Sequence, residues 1–421
     1  MTFSGKVYAL LAGLALAATP AAAAWIPAGL PDADGGDGYL CRRAFLTEEE
    51  GARVLGDALQ AFPDDGRWCD YAAHVRQRVL EAMGFSPLPD RPELSTVVHS
   101  RRTHNGYSVE NVAVETLPGY WMTGNLYRPA DPRADGAAVL HLHGHTPGPD
   151  GAGGWSRHGR FREEYQYSAA TLARMGAVVL SVDMAGYGDQ LKLVGAEAHR
   201  TPASMALQFW NGLRAIDFLA DLREVDPARI AVAGFSGGAT QGLLLTALDE
   251  RVAAQASVAM VSAHFFGGCP CESGLPVHRS ADHFASNPVF AAMAAPRPLL
   301  LVSVGGDWTK NTPQVEYPFV RGIYRRMEAA DRAGNIHLPD EGHDFGPSKR
   351  QAVYAFLGAA LELDAEAVFN EAGEWTEAGV TLEAPPAMRV FNEEHPAPEG
   401  AVGDPDAALA RLLLTQTTSI P

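Results

Sequence analysis

Two hydrophobic periods alternate along the middle of this chain. Short apolar runs of the kind buried on both faces of a parallel sheet occur at Ala137–Leu142, Ala177–Val182, Ile230–Ala233, Val252–Val261, Pro298–Val304 and Ile336–Leu338. Between them the apolar positions fall into helical spacing and predict helices over Tyr167–Met175, Pro202–Leu222, from Ala239 to Leu248, Thr312–Met327 and Ser348–Leu361. In the second of these, Ala206, Phe209, Leu213, Ile216 and Ala220 form one stripe. Strand and helix alternating over this length predict an α/β fold: a doubly wound, mostly parallel sheet.

The flanking segments read differently. Ser95–Arg101, Tyr107–Glu115 and Trp121–Tyr127 are extended runs punctuated by Asn105-Gly106 and Pro118-Gly119, the pattern of antiparallel hairpins. Upstream, Thr47-Glu48-Glu49-Glu50 is a capping box opening a helix that stops before Pro63, and Tyr71–Met83 continues in helical period. At the N-terminus, Lys6 precedes the apolar run Val7–Ala18 and the small residues Ala21–Ala24, a secretory signal peptide cleaved near Ala23 or Ala24. After Asp364 the alternation stops, leaving extended possibilities at Gly379–Leu382 and Met388–Phe391 and a short helix at Asp406–Leu414. The expected division is therefore a leader over 1–24, a helical extension over 25–94, the main domain over 95–364 and a C-terminal appendage over 365–421.

Composition narrows the partners. The chain has 421 residues, 47% of them hydrophobic, and a net charge of -17. So acidic a surface repels nucleic acid and anionic membranes, so neither is expected as a partner and an uncharged substrate is the more natural ligand. The leader implies an oxidising compartment, periplasmic or extracellular, for the cysteines Cys41, Cys69, Cys269 and Cys271. Cys41 with Cys69 would staple the N-terminal segment, while Cys269 with Cys271 would close a very small, strained loop. Cys269 and Cys271 also resemble half of a metal site, but the sequence offers no second pair, so no metal is expected.

The chemistry gathers at the ends of the predicted strands. Ile230–Ala233 runs into Gly234-Phe235-Ser236-Gly237-Gly238 and then a helix, a strand–turn–helix in which glycine neighbours let Ser236 adopt a strained conformation and expose its hydroxyl. A serine hydroxyl needs a base, and the base needs an orienting acid. His343, in Pro339-Asp340-Glu341-Gly342-His343-Asp344-Phe345-Gly346 after the last strand, is the best placed of fourteen histidines for the base. Asp307, in the glycine turn Val304-Gly305-Gly306-Asp307, is the chosen acid, with Asp340 and Asp344 in reserve. For the oxyanion, the N–H groups of Gly237 and of His145, in the turn His143-Gly144-His145, are the expected donors. His141, His143 and His145 could be misread as a zinc cluster, but no acidic ligand accompanies them. The turn Asp183–Asp189 should shape the wall of the site, and Trp155 and Trp308 could offer stacking faces to a substrate. The long segments Thr146–Glu164 and Ser262–Ala295 fall where ligands bind in open α/β sheets.

With these residues placed, the chain resembles the α/β-hydrolase superfamily, and within it the secreted bacterial branch of acetylxylan-esterase-like and dienelactone-hydrolase-like enzymes. The matching pieces are His143-Gly144-His145, Gly234–Gly238, Gly306–Pro313 and Gly342–Arg350. The resemblance implies a Ser236/Asp307/His343 triad, an oxyanion hole of backbone N–H groups, no cofactor, and hydrolysis of a carboxylic ester. An acetylated polysaccharide is the substrate expected by analogy. Cys269-Pro270-Cys271-Glu272 departs from simple acetylxylan esterases. Two rivals stay open: a prolyl-oligopeptidase-like peptidase, against which the extension before Ser95 is too short for a propeller, and a catalytically inactive glycan-binding homologue.

Overall fold

A computed structural model of the chain describes residues 24–30, 46–131, 135–146, 148, 156–201, 203–274, 276–401 and 403–417. Residues 1–23 of the expected signal peptide, Cys41 and Trp155 lie outside these residues. No helix among the described residues is long and apolar enough to cross a membrane.

The centre is a nine-stranded sheet. Its strands are β1 (Thr96–His104), β2 (Tyr107–Leu117), β3 (Tyr120–Pro129), β4 (Gly136–Leu142), β5 (Val178–Val182), β6 (Val225–Phe235), β7 (Val252–Val258), β8 (Leu299–Val304) and β9 (Ala333–Leu338). They lie in the order β1-β2-β3-β5-β4-β6-β7-β8-β9. The first three strands pair antiparallel with one another and β3 pairs antiparallel with β5, while every pairing from β5 through β4 to β9 is parallel. The doubly wound, mostly parallel sheet read from the sequence is the sheet found.

Helices cover both faces, and the strand residues divide between them by the period of two. Ala138, Leu140, Leu142, Ile230, Val232, Leu299 and Leu301 face one core. Ala137, Val139, Ala231, Ala233, Leu300 and Val302 face the other. The first core is closed by α1 (Glu48–Ala61), α2 (Asp65–Ala82), and further along the chain by Ser204–Ala220, Gly237–Leu248 and Glu316–Arg326; the second is closed by α3 (Glu163–Arg174) and by Pro347–Ala360. In chain order those later helices are α4 (Ser204–Ala220), α5 (Gly237–Leu248), α6 (Glu316–Arg326), α7 (Pro347–Ala360) and, near the end, α8 (Pro405–Thr417). The Thr47/Glu50 capping box forms at the start of α1. The helix expected from Tyr71 begins six residues earlier, capped by the Asp64 carboxylate on the Arg67 N–H.

The C-terminal segment departs from expectation. Residues Gly379–Leu382 and Met388–Phe391 form no strand, and Pro385–Met388 is a single helical turn. Met388 and Val390 are nevertheless fully buried, against Ala113 and Trp121 in the case of Val390. Side chains replace the missing ladder: Asn111 donates to the carbonyls of Ala387 and Arg389, Asn125 donates to that of Met388, and Asp189 accepts from the Val390 N–H. Glu383 accepts from Arg102 and lies 2.7 Å from His104 on β1.

Candidate active site

Ser236 caps α5 directly after β6 with φ 52° and ψ -122°, a sparsely populated conformation that costs on the order of 1–3 kcal/mol for a residue with a Cβ. The turn is held from both sides. Its N–H donates to the Val258 carbonyl, and its own carbonyl accepts from Thr240. A Cβ on Gly144 would lie 2.7 Å from Cδ1 of Phe235 and 2.8 Å from Cβ of Ser236, so the loop after β4 can lie against the serine only because residue 144 is glycine.

The three residues chosen for nucleophile, base and acid converge. Nε2 of His343 is 3.0 Å from Oγ of Ser236, and Nδ1 of His343 is 2.7 Å from Oδ2 of Asp307. The other carboxylate oxygen of Asp307 accepts from both the N–H and the hydroxyl of Thr309, each at 2.6 Å. The Asp307 side chain is 2% exposed, whereas that of His343 is 18% exposed and opens to the pocket. Phe235 and Trp308 pack on the imidazole with centroids at 4.9 and 4.5 Å. Asp344, one of the reserve acids, instead accepts from Lys349 and is largely exposed. Asp340, the other, is exposed as well.

Gly237 is the first residue of α5, so its N–H has no acceptor within the helix and stands at the positive end of the helix dipole. His145 lies against it: a Cβ on Gly237 would meet Cε1 and Nδ1 of His145 at 2.5 and 2.7 Å. Both residues expected to hold an oxyanion therefore border the serine. His141 and His143 turn elsewhere. His141 bonds Ser168 at 3.0 Å and is held down to about 4 by burial; His143 accepts from the Met184 N–H and is held down to about 3 by burial. Both are neutral packing groups.

A pocket of about 380 Å³ opens over Ser236, lined among others by Arg157, Tyr187, Arg200, Phe265 and Trp308. Trp308 stacks on Phe265 at 4.0 Å. Arg157 is buried over the Tyr187 ring at 4.6 Å, and its Nε and Nη1 have no hydrogen-bond partner among the described residues. Sequence reasoning passed over Arg157 because nothing in its Gly-rich segment distinguishes it, and over His199 and Arg200 because they stand in a short helical turn without a motif.

The Asp183–Asp189 turn is built as well as shaping. The fully buried Arg160 guanidinium bridges Asp183 and Asp189 and donates to the Met388 carbonyl. Burial pushes the Asp183 carboxyl up, against the pull of Arg160. Next to His199, which bonds the Ala185 carbonyl of this turn, Cys269 and Cys271 are paired as a disulfide ahead of Glu272. Burial would raise the Glu272 carboxyl, but the His145 ring, the Gly268 N–H and His343 outweigh it and hold it below the usual range.

Comparison with solved structures supplies a family. Methylesterase BT1017 shares 36% identity with this chain, superposes with a TM-score of 0.78, and the match covers 89% of this chain and 82% of that one. The chain belongs to its family, within the α/β hydrolases. The family's wider fold is seen in a glucuronoyl esterase from Solibacter usitatus, at 16% identity, TM-score 0.52 and coverage of 70% and 94%. A glucuronoyl esterase from Teredinibacter turnerae matches at 14% identity, TM-score 0.51 and coverage of 70% and 85%. At those identities the two speak to fold alone. No family model and no curated protein matches the chain.

Proposed function

We propose that this chain is a serine carboxylic-ester hydrolase acting on carbohydrate esters through an acyl-enzyme. The observation that carries the reading is the continuous relay from Ser236 through His343 to Asp307, at 3.0 and 2.7 Å. In this reading Nε2 of His343 takes the Ser236 proton as Oγ attacks the ester carbonyl. Asp307 keeps the hydrogen of His343 on Nδ1 and stabilises the imidazolium. The tetrahedral oxyanion is held by the N–H groups of Gly237 and His145. His343 then returns the proton to the departing alcohol, and water, deprotonated by the same ring, releases the acid. Residues 1–24 are read as an export leader that places this activity outside the cytoplasm.

Deacetylation of a polysaccharide is the reading drawn from motif resemblance. A second reading, cleavage of a methyl ester, is favoured by the 36% identity with a methylesterase. A methyl ester on a sugar requires a carboxyl-bearing sugar, so its polymer carries neighbouring carboxylates. The guanidinium groups of Arg157 and Arg200 at the same pocket, Nε and Nη1 of Arg157 having no partner among the described residues, suit such a polymer better than an uncharged one. This revises the expectation of an uncharged substrate, which rested on net charge and not on the pocket.

Labelling by a fluorophosphonate that is lost in Ser236→Ala tests the nucleophile. Efficient turnover of a peptide anilide with little hydrolysis of p-nitrophenyl acetate would instead establish a peptidase. Absence of both labelling and turnover would leave a binding protein. Parallel assays on an acetylated xylan and a methyl-esterified polyuronate decide between the two ester classes.

A further inference from the structure

Beside the nucleophile, four side chains from three separate segments bring one ligand-type atom each to a common centre. Nε2 of His145, from the loop after β4, and Nε2 of His199, from the helical turn Ala196–Arg200, meet Sγ of Cys269 and of Cys271; all four atoms lie within 4.8 Å of one another. The sulfur–nitrogen separations are 3.4, 3.7 and 3.8 Å. In a tetrahedral zinc site with Zn–S near 2.3 Å and Zn–N near 2.0–2.1 Å, such edges measure roughly 3.6 Å.

The two imidazoles are oriented from behind. Nδ1 of His199 is 3.0 Å from the Ala185 carbonyl, which can only accept, so the ring's hydrogen is there and a neutral His199 presents a lone pair at Nε2. Nδ1 of His145 faces the Glu272 carboxylate at 3.5 Å. A carbonyl behind one ring and a carboxylate behind the other are the outer partners that fix metal-bound histidines. The inward Nε2 atoms stand 2.7 Å apart, a hydrogen bond in which, with the His199 hydrogen on Nδ1, Nε2 of His145 is the donor and Nε2 of His199 the acceptor. A cation held at the centre by two thiolates and two imidazoles satisfies all four groups.

We propose that His145, His199, Cys269 and Cys271 form a structural zinc site on the wall of the catalytic pocket. Two sulfurs and two imidazole nitrogens suit zinc and disfavour magnesium or calcium, and four protein ligands leave no open position for catalysis. Binding is redox-neutral: two thiols each release a proton and become the thiolate ligands of one Zn²⁺. The disulfide is the competing, metal-free state of the same sulfurs. The ion would pin His145, the oxyanion donor of the proposed mechanism, to the adjoining cysteine segment, so zinc loading would govern how well that donor is preorganised.

The test is zinc content of the full chain, exported by its own leader and purified without chelator. About one zinc per chain is expected, with Cys269 and Cys271 resistant to alkylation until a chelator is added. His199→Ala and Cys271→Ser should each retain less than about a tenth of the metal. Should those variants fail to fold, cobalt substitution of the wild-type protein keeps the question open to measurement, and a tetrahedral thiolate spectrum is expected. Metal-free protein whose cysteine pair has the intact mass of a disulfide, and which takes up no zinc or cobalt after reduction, overturns the site. Ser236→Ala should bind zinc in full while losing turnover, so failure of the metal site and failure of the catalytic reading are separable.

Discussion

Replacing Asp307 with Asn tests whether this carboxylate sets the tautomer of His343. Oδ1 of Asp307 accepts from both the N–H and the hydroxyl of Thr309. A backbone N–H cannot become an acceptor, so in the variant the amide oxygen is held at the Oδ1 position and the NH2 falls where Oδ2 now meets Nδ1 of His343 at 2.7 Å. An NH2 only donates. Nδ1 must then accept, and the imidazole hydrogen moves to Nε2, facing Ser236 Oγ across 3.0 Å. The base is blocked. Flipping the amide would restore the tautomer, but it sets a donor against the buried Thr309 N–H, at roughly 1–3 kcal/mol. It also forfeits a charged hydrogen bond to the imidazolium, worth roughly 1.5–3 kcal/mol. By either route the barrier rises by several kcal/mol, and kcat on p-nitrophenyl acetate should fall about 10³- to 10⁴-fold, the size of effect known for such triads. Circular dichroism should show an unchanged fold. A folded variant retaining more than about a tenth of the kcat would refute the assignment of Asp307.

Other perturbations have equally definite outcomes. Thr309→Val removes a hydroxyl that donates to Asp307 and accepts from the Val304 N–H, and should lower kcat roughly tenfold while leaving KM nearly unchanged, as steady-state kinetics would report. Gly144→Ala sets a Cβ against the Phe235 carbonyl oxygen and 2.8 Å from Cβ of Ser236, and should lower kcat/KM by about 10²-fold together with the melting temperature; a variant with wild-type kcat/KM and melting temperature would show that the contact is not needed. Arg157→Ala should lower kcat/KM on a methyl-esterified polyuronate by roughly 10- to 100-fold, and by less on p-nitrophenyl acetate; equal losses on both would remove its role in reading an acidic polymer. Glu316 is pushed up to about 7 by burial, so its contribution to stability is fully present below pH 4.5 and is lost as pH rises through 7, by up to roughly 3 kcal/mol. Glu316→Gln should therefore gain melting temperature over wild type progressively between pH 5 and 8, and parallel melting curves would contradict the buried carboxyl.

What could be read from the sequence follows from which interactions leave a local trace. β4, β5 and β8 are buried along their whole length and so appear as unbroken apolar runs. The turns bearing Ser236 and Asp307 carry glycines because the backbone must bend sharply just where a side chain is presented, which made those two positions legible along with His343. β6 is less so: it runs from Val225, but Asp226 and Pro227 hide its first half. The tail misled for a related reason. The apolar residues around Met388 and Val390 have the spacing of a buried strand, yet Asn111, Asn125 and Asp189 satisfy the backbone there, so burial occurs without a ladder. The cluster at the pocket wall lies furthest from legibility. Cys269 and Cys271 look like half a site because the other half, His145 and His199, is supplied by segments seventy or more residues away, and no pattern within one segment encodes the meeting. The strand order β5-β4-β6-β7 brings the segments after β5, β4 and β7 together at the C-terminal ends of the parallel strands. His145 touches both sites: its ring lies against Gly237 on one side and faces the cysteines on the other, and in the proposed mechanism its backbone N–H is an oxyanion donor. A change in the state of those sulfurs would reach the catalytic serine through a single residue.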